Sequence, residues 1–393
     1  MDKTKKINNV SIVILLILMY IVVAMSDNFK GIFVPFFKSE FGVNNTEIGY
    51  VMTASLFAYA VFQFAGGYLI EKIGYKKTIM SGFLIGILSL LLLSNCKSFP
   101  MLVAGMFLLN MGMAMFNIGV NTLGPVLTVS STVVLMNMII FAYGSGNTVL
   151  QRISGSLLDQ GIEWKQFYTF MLMVVAALFV YLILIRIPYD PVVKETKGNY
   201  KAILKNKMLW FYILSMGFYL ASEYGVGNWF VNYMSESFQF SAERCSFYIA
   251  LFVGTKALGQ LICGFVADRL GYFKTILTYS IITSIIMVVS VAMQDRGLLL
   301  FSIGGFFYSA IFPTLITTLG DVFQENTSYA TGIILMCGTL IAMAVSMIIG
   351  VLNDVIGSQY GIYMIPVSMI LCMVFSKVIH SAEGKNVKSE TMD

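Results

Sequence analysis

The chain has 393 residues, of which 58% are hydrophobic and only 11% charged, with a mean hydropathy of +0.82. An ordinary soluble domain carries about 25% charge, so this composition excludes a soluble globule and suits lipid. The net charge of +5 is spread between apolar runs and forms no stripe, which argues against a nucleic-acid partner.

Apolar runs near 20 residues recur along the chain, each long enough to cross ~30 Å of hydrocarbon as a helix. The basic start (Lys3, Lys5, Lys6) leads into the apolar stretch 10–25, and no small-residue cleavage site follows. We read it as a retained first helix. Twelve spans are predicted in all: 9–36, 47–70, 78–96, 100–127, 134–158, 166–188, 208–234, 246–267, 274–293, 298–322, 328–352 and 360–380. Backbone in lipid must satisfy its own hydrogen bonds, so the expected fold class is all-α. Unbroken runs of this length exclude a lipid barrel, whose strands alternate faces.

Lys and Arg set the orientation. With both termini in the cytoplasm, seventeen of the 25 fall on inner segments, five on outer loops (Lys38, Lys97, Lys165, Arg244, Arg296) and three inside spans (Lys30, Arg152, Lys256). The longest polar stretch lies between spans six and seven. The expected organisation is an N-terminal bundle over 1–188, a cytoplasmic linker over 189–207, a C-terminal bundle over 208–380 and a cytoplasmic tail over 381–393.

Internal repetition supports two parallel halves. Gly67-Tyr-Leu-Ile-Glu-Lys-Ile-Gly-Tyr-Lys-Lys-Thr-Ile79 matches Gly264-Phe-Val-Ala-Asp-Arg-Leu-Gly-Tyr-Phe-Lys-Thr-Ile276 at an offset of 197, with six of thirteen positions identical. A second echo pairs Gly155-Ser-Leu-Leu-Asp159 with Gly350-Val-Leu-Asn-Asp354 at an offset of 195.

Charges within a span cost at least ~2.5–3.5 kcal/mol at the bilayer centre, so they face a cavity or a partner. Asp27, Lys30, Arg152, Glu223 and Lys256 are such residues. Asp27 and Glu223 are 196 residues apart, one off the repeat offset, so they hold nearly equivalent places on the first helix of each half. Two such carboxylates suit proton coupling, because a poorly solvated acid favours its neutral form, and they accept hydrogen bonds from hydroxyls. At 1.5 Å per residue, Asp27 and Arg152 lie roughly 13 and 9 Å below the outer surface, and Glu223 and Lys256 both about 15 Å. We therefore expect Asp27 near Arg152 and Glu223 near Lys256. Lys30 shares a face with Asp27 at i, i+3. Asn110, Asn117 and Asn121 fall on one face of helix four, where an amide both donates and accepts. Tyr219 shares a face with Glu223. Tyr143, Asn228, Trp229, Gln260 and Tyr308 complete the candidate binding residues.

The five cysteines (Cys96, Cys245, Cys263, Cys337, Cys372) are scattered, and His380 is the single histidine. No metal site, cofactor or enzyme chemistry is expected.

The repeated loop resembles the signature of the major facilitator superfamily, Gly-x-x-x-Asp-Arg-x-Gly-x-Lys, with Glu71 in place of the usual Asp in the first copy. A finer resemblance is to the fucose permease-like (fucose:proton symporter) branch. It is carried by Val34-Pro-Phe-Phe-Lys-Ser-Glu-Phe41, Asn117-Ile-Gly-Val-Asn121, Tyr219-Leu-Ala-Ser-Glu-Tyr-Gly-Val-Gly-Asn-Trp229 and Ser309-Ala-Ile-Phe-Pro-Thr314. The chain departs from that branch at Gly31, where an acid is common, and at Gly259-Gln260, where Gly-Arg is common.

The resemblance implies the major facilitator fold, with helices one, four, seven and ten lining a central aqueous cavity that Asp27 and Glu223 border. It also implies a cytoplasmic gate formed by Gly67, Glu71, Lys72, Gly74, Lys77, Gly264, Asp268, Arg269, Gly271 and Lys274. The expected function is secondary active transport by alternating access. The expected cargo is a sugar or polyol moved inward with protons by a monomer in the inner membrane. Alternatives are a carrier or exporter of an anion such as a sugar acid or organic acid, and a transporter-like sensor.

Overall fold

The computed structural model describes residues 3–127, 132–187, 200–324 and 327–390. Among them there is no strand, and the elements are helices. In chain order these are α1 (Lys3–Ile32), α2 (Val34–Phe41), α3 (Asn45–Ile73), α4 (Tyr75–Ser94), α5 (Phe99–Leu123), α6 (Thr132–Asp159), α7 (Trp164–Leu184) and α8 (Tyr200–Lys205). They continue with α9 (Lys207–Phe238), α10 (Ala242–Leu270), α11 (Tyr272–Ala292), α12 (Leu298–Tyr308), α13 (Ile311–Phe323), α14 (Thr327–Ile356), α15 (Ser358–Gly361) and α16 (Met364–Glu390).

Ten stretches among the described residues are long and apolar enough to cross a membrane. The remaining two spans are α6 and α9, whose interiors are richer in polar residues: α9 holds Glu223, Asn228, Asn232 and four tyrosines. The protein is thus an all-α membrane protein of twelve transmembrane helices in two six-helix bundles.

Three predicted spans are each built from two helices, and proline is the cause each time. Its ring removes a donor and clashes with the carbonyl four residues earlier. Pro35 lies just past the break at Phe33, between α1 and α2. Pro313 faces the carbonyl of Ser309, in the step between α12 and α13. Pro366 faces that of Ile362, between α15 and α16.

The chain divides into two compact units. Unit 1 is Met1–Glu195 with the short segment Ser241–Phe247, and unit 2 is Thr196–Phe240 with Tyr248–Asp393. In unit 1, α5 packs on α3 and α4, and α1 packs on α6. In unit 2, α9 packs on α14 and α16, and α11 on α16 and α12. The linker expected over 189–207 lies outside the described residues as far as 199; beyond it the short helix α8 occupies 200–205. The tail expected from 381 is helical as far as Glu390, continuing α16.

The repeat is visible in the backbone as well as in the sequence. Among the described residues, positive φ at Gly42 (63°), Gly74 (84°) and Gly161 (91°) in the first half is matched at Gln239 (55°), Gly271 (85°) and Gly357 (91°) in the second, while Gln294 (55°) and Gln324 (45°) have no such counterpart. These pairs stand 197, 197 and 196 residues apart. At Gly74 and Gly271 the conformation falls between consecutive helices and is one that glycine adopts without steric cost.

Close approach explains why Ser241–Phe247 groups with unit 1. A Cβ on Gly155 of α6 would lie 1.9 Å from Ser246 Oγ, so only glycine fits there. Beside it, the Asp159 carboxylate accepts from the backbone N–H groups of Ala242 and Glu243, each at 3.0 Å. This is an anion at the N-terminus of α10, where the helix dipole favours it.

Candidate functional site

In unit 1, α1 carries Asp27 and Lys30 one turn apart. Lys30 Nζ lies 3.0 Å from Asp27 Oδ1 and donates to Asn110 Oδ1 on α5 at 2.9 Å. Asn110 itself donates to the main-chain oxygen of Met106, an anchor that fixes its oxygen toward Lys30. The other carboxylate oxygen, Asp27 Oδ2, accepts from Tyr143 OH of α6 at 2.9 Å. Lys30 is buried, while the Asp27 side chain keeps 35% of its surface. An ammonium in lipid needs a countercharge and hydrogen-bond acceptors; Asp27 supplies the first and Asn110 one of the second.

The network extends along α1. Tyr20, seven residues before Asp27 and so on the same face, packs edge-on against Tyr143 with ring centroids 6.0 Å apart. Its hydroxyl donates to Asn121 Oδ1 at 3.1 Å and accepts from Asn117 Nδ2 at 3.3 Å. Asn121 Nδ2 and Gln63 Nε2 both donate to Asn117 Oδ1, at 2.8 and 3.2 Å. Four helices thus place neutral donors and acceptors beside one acid and one base.

In unit 2, Glu223 of α9 forms an ion pair with Lys256 of α10. Lys256 Nζ also lies 5.9 Å from the ring centroid of Tyr308 on α12. Tyr308 is fully buried, packs with its ring tilted against Tyr219 at a centroid distance of 5.0 Å and donates to the main-chain oxygen of Tyr219 at 3.1 Å. Gln260 lies one turn past Lys256, half-exposed. Trp229 is fully buried and donates to Ser346 Oγ at 3.0 Å, which fixes α9 to α14; Asn228 is buried beside it.

The structure therefore brings Glu223 and Lys256 together and does not bring Arg152 to Asp27. Arg152 is exposed and pairs with Glu243 at 2.6 Å. The reason is azimuth: Tyr143 and Arg152 are nine residues apart on α6, which places them on opposite faces. Depth along the helix favours an Asp27–Arg152 pairing, and azimuth rules it out.

The repeated loops lie at exposed helix ends. Glu71, Lys72, Lys77, Asp268, Arg269 and Lys274 are all exposed, with Gly67 and Gly264 each meeting no atom within 4 Å of an added Cβ. Local contacts join Lys72 to the Tyr68 ring at 5.9 Å and Tyr272 to Asp268 at 3.3 Å.

Sequence reasoning missed Tyr20 and Gln63. A signal existed for each: Tyr20 stands at i−7 from Asp27, and Gln63 is an amide in the middle of an apolar span.

The family model described as Major Facilitator Superfamily matches residues 16–231 and 214–391, nearly the whole chain. The chain belongs to the major facilitator superfamily. It is a membrane transporter of that family, and its twelve helices are the family's two bundles. Over 342 residues it is 25% identical to a probable nitrate transporter, NarT, of Staphylococcus epidermidis, covering 83% of this chain and 84% of that one. Over 373 residues it is 21% identical to a glucose/galactose transporter of Brucella abortus, covering 90% of each. Among solved structures it is similar in fold to the fucose:proton symporter of E. coli, with a TM-score of 0.64 and 17% identity over 95% of this chain and 99% of that one.

Proposed function

We propose that this major facilitator moves a neutral polyhydroxyl solute, a sugar or polyol, inward across the cytoplasmic (inner) membrane together with protons. It works as a monomer by alternating access with both termini in the cytoplasm. One observation carries the reading: each intramembrane lysine is already engaged by an acid of its own unit, Lys30 by Asp27 and Lys256 by Glu223. A free anion would have to compete with these carboxylates. The polar groups near each pair are neutral: Gln63, Asn117 and Asn121 in unit 1, and, separately, Gln260 one turn past Lys256 in unit 2.

Protonation of either carboxylate releases its lysine, which couples charge to solute binding. Asp27 and Glu223 are thus the coupling residues, and the repeated loops ending in Glu71/Lys72 and Asp268/Arg269 the cytoplasmic gate. Similarity to the glucose/galactose transporter and the fold of the fucose:proton symporter support this reading.

A second reading is an anion carrier, favoured by the similarity to the probable nitrate transporter. In it, Lys30 and Lys256 hold the anion once their acids are protonated. A thermal-shift screen of the purified protein against sugars, polyols, sugar acids and nitrate separates the two. Stabilisation by neutral sugars or polyols supports the first reading; stabilisation by nitrate or sugar acids alone overturns it in favour of the second.

A further inference from the structure

Tyr143, Asn147, Gln151 and Gly155 recur every four residues and so climb one slowly turning face of α6. Tyr143 meets Asp27 at the deep end of this face. Asn28, the residue after Asp27, is fully buried and donates through Nδ2 to the main-chain oxygen of Asn147 at 3.4 Å. Asn147 and Gln151 are buried on the next two turns, 8% and 5% exposed. Ser246 Oγ, buried too, closes the face where a Gly155 side chain would stand.

The side-chain oxygens of Asn28, Asn147, Gln151 and Ser246 make no hydrogen bond to any described residue. Buried polar atoms left without a protein partner mark the places where ordered water or an ion is held. Four of them follow one seam, from the carboxylate at mid-span toward the end of α6 at Asp159.

We propose that this seam is the proton entry to Asp27: a file of water held by the oxygens of Asn28, Asn147, Gln151 and Ser246, leading to Tyr143. It rests on the proton-coupled reading and the orientation given above, in which Asp159 is at the outer end. Water fits better than sodium because the four seam oxygens are neutral, and the carboxylates at the outer end are engaged, Asp159 by the N–H groups of Ala242 and Glu243 and Glu243 by Arg152. Both Asp27 oxygens are turned to Lys30 and Tyr143, so a cation would find no countercharge.

A proton taken up from outside at the Ser246 end passes between waters, each accepting one and releasing one. Tyr143 accepts the last and gives its own hydroxyl proton to Asp27 Oδ2. Asp27 becomes neutral, Lys30 stays protonated, and no other bond changes. The charged and titratable groups facing Asp27 among the described residues are Lys30 on α1 and Tyr143 on α6, with Tyr20 behind Tyr143. From α5 comes the neutral Asn110 through Lys30, and the Tyr168 of α7 packs on Phe29.

The test needs no solute. Rapid acidification of the purified protein is followed by infrared absorption of the carboxylic-acid C=O stretch, with the Asp27 band identified by its loss in Asp27→Asn. Asn147→Leu and Gln151→Met keep the side-chain branching and length and remove the oxygen. We expect each to slow the rise of the Asp27 band by about tenfold or more at an unchanged end point, while Asn147→Ser restores the rate. Wild-type rates in both apolar variants would overturn the seam. If one variant does not fold, the other alone decides. A sodium-binding heat lost in Gln151→Met would also overturn it, in favour of a cation site. An Asp27 band that never rises in the wild type sinks the coupling reading itself, a separate failure.

Discussion

Asp27 and Lys30 form an ion pair 3.0 Å long within one turn of α1, and the second half of the protein reproduces only the acid. Glu223 stands 196 residues later, but the position matching Lys30 is Val226, and the one matching Lys256 at the offset of 197 is Tyr59. Each unit thus neutralises an equivalent carboxylate with a base from a different place: the same helix in unit 1, the next helix in unit 2. The symmetry of the backbone is kept while the chemistry of the two sites diverges.

That asymmetry separates the two acids experimentally. Asp27→Asn and Glu223→Gln should each abolish proton-driven accumulation in proteoliposomes while leaving solute exchange at equal pH measurable. A variant that still accumulates solute removes that acid from the coupling role.

Lys30 is buried with two acceptors, so its removal leaves Asp27 without a countercharge. We expect Lys30→Met to cost about 1–3 kcal/mol, discounted because Asp27 is 35% exposed, and to lower Tm. The double variant Asp27→Asn/Lys30→Met should recover most of the loss. Additive losses in such a cycle would mean that the pair contributes no coupling energy.

Arg152 and Lys256 should part company. Arg152 pairs with Glu243 and not with either carboxylate of the proposed site, so Arg152→Gln should leave solute affinity within about twofold. Lys256→Gln unpairs Glu223 and should weaken affinity by about tenfold or more. Equal, large losses of affinity in both variants would favour the anion-carrier reading.

Cys96 lies in the turn between α4 and α5, outside the spans, and is fully buried. Burial pushes its thiol above the usual value, with Lys165 opposing less strongly. The thiolate is the reactive form, so Cys96 should resist maleimide at neutral pH in the folded protein and react once it is unfolded. Mass spectrometry of the labelled peptide decides.

Much of the fold could be read from the chain because its causes are local. Apolar runs set the spans, and the glycine-centred loops at Gly74 and Gly271 betray the repeat. The breaks at Pro35, Pro313 and Pro366 were equally local, yet counting apolar length passes over them. Within the sites, depth along a helix located Glu223 and Lys256 together but misplaced Arg152, because nine residues on α6 turn a side chain to the far face. Tyr20 and Gln63 enter the network through tertiary packing of α1 and α3 on α5, which no single-helix pattern reports.

In the proposed mechanism, carboxylates paired with lysines couple protons to a neutral solute. Uptake of the sugar or polyol chosen by thermal shift, into proteoliposomes with and without an inward proton gradient, tests it most directly. We expect accumulation above equilibrium only with the gradient, and its collapse on adding a protonophore. Equal uptake under both conditions would contradict it.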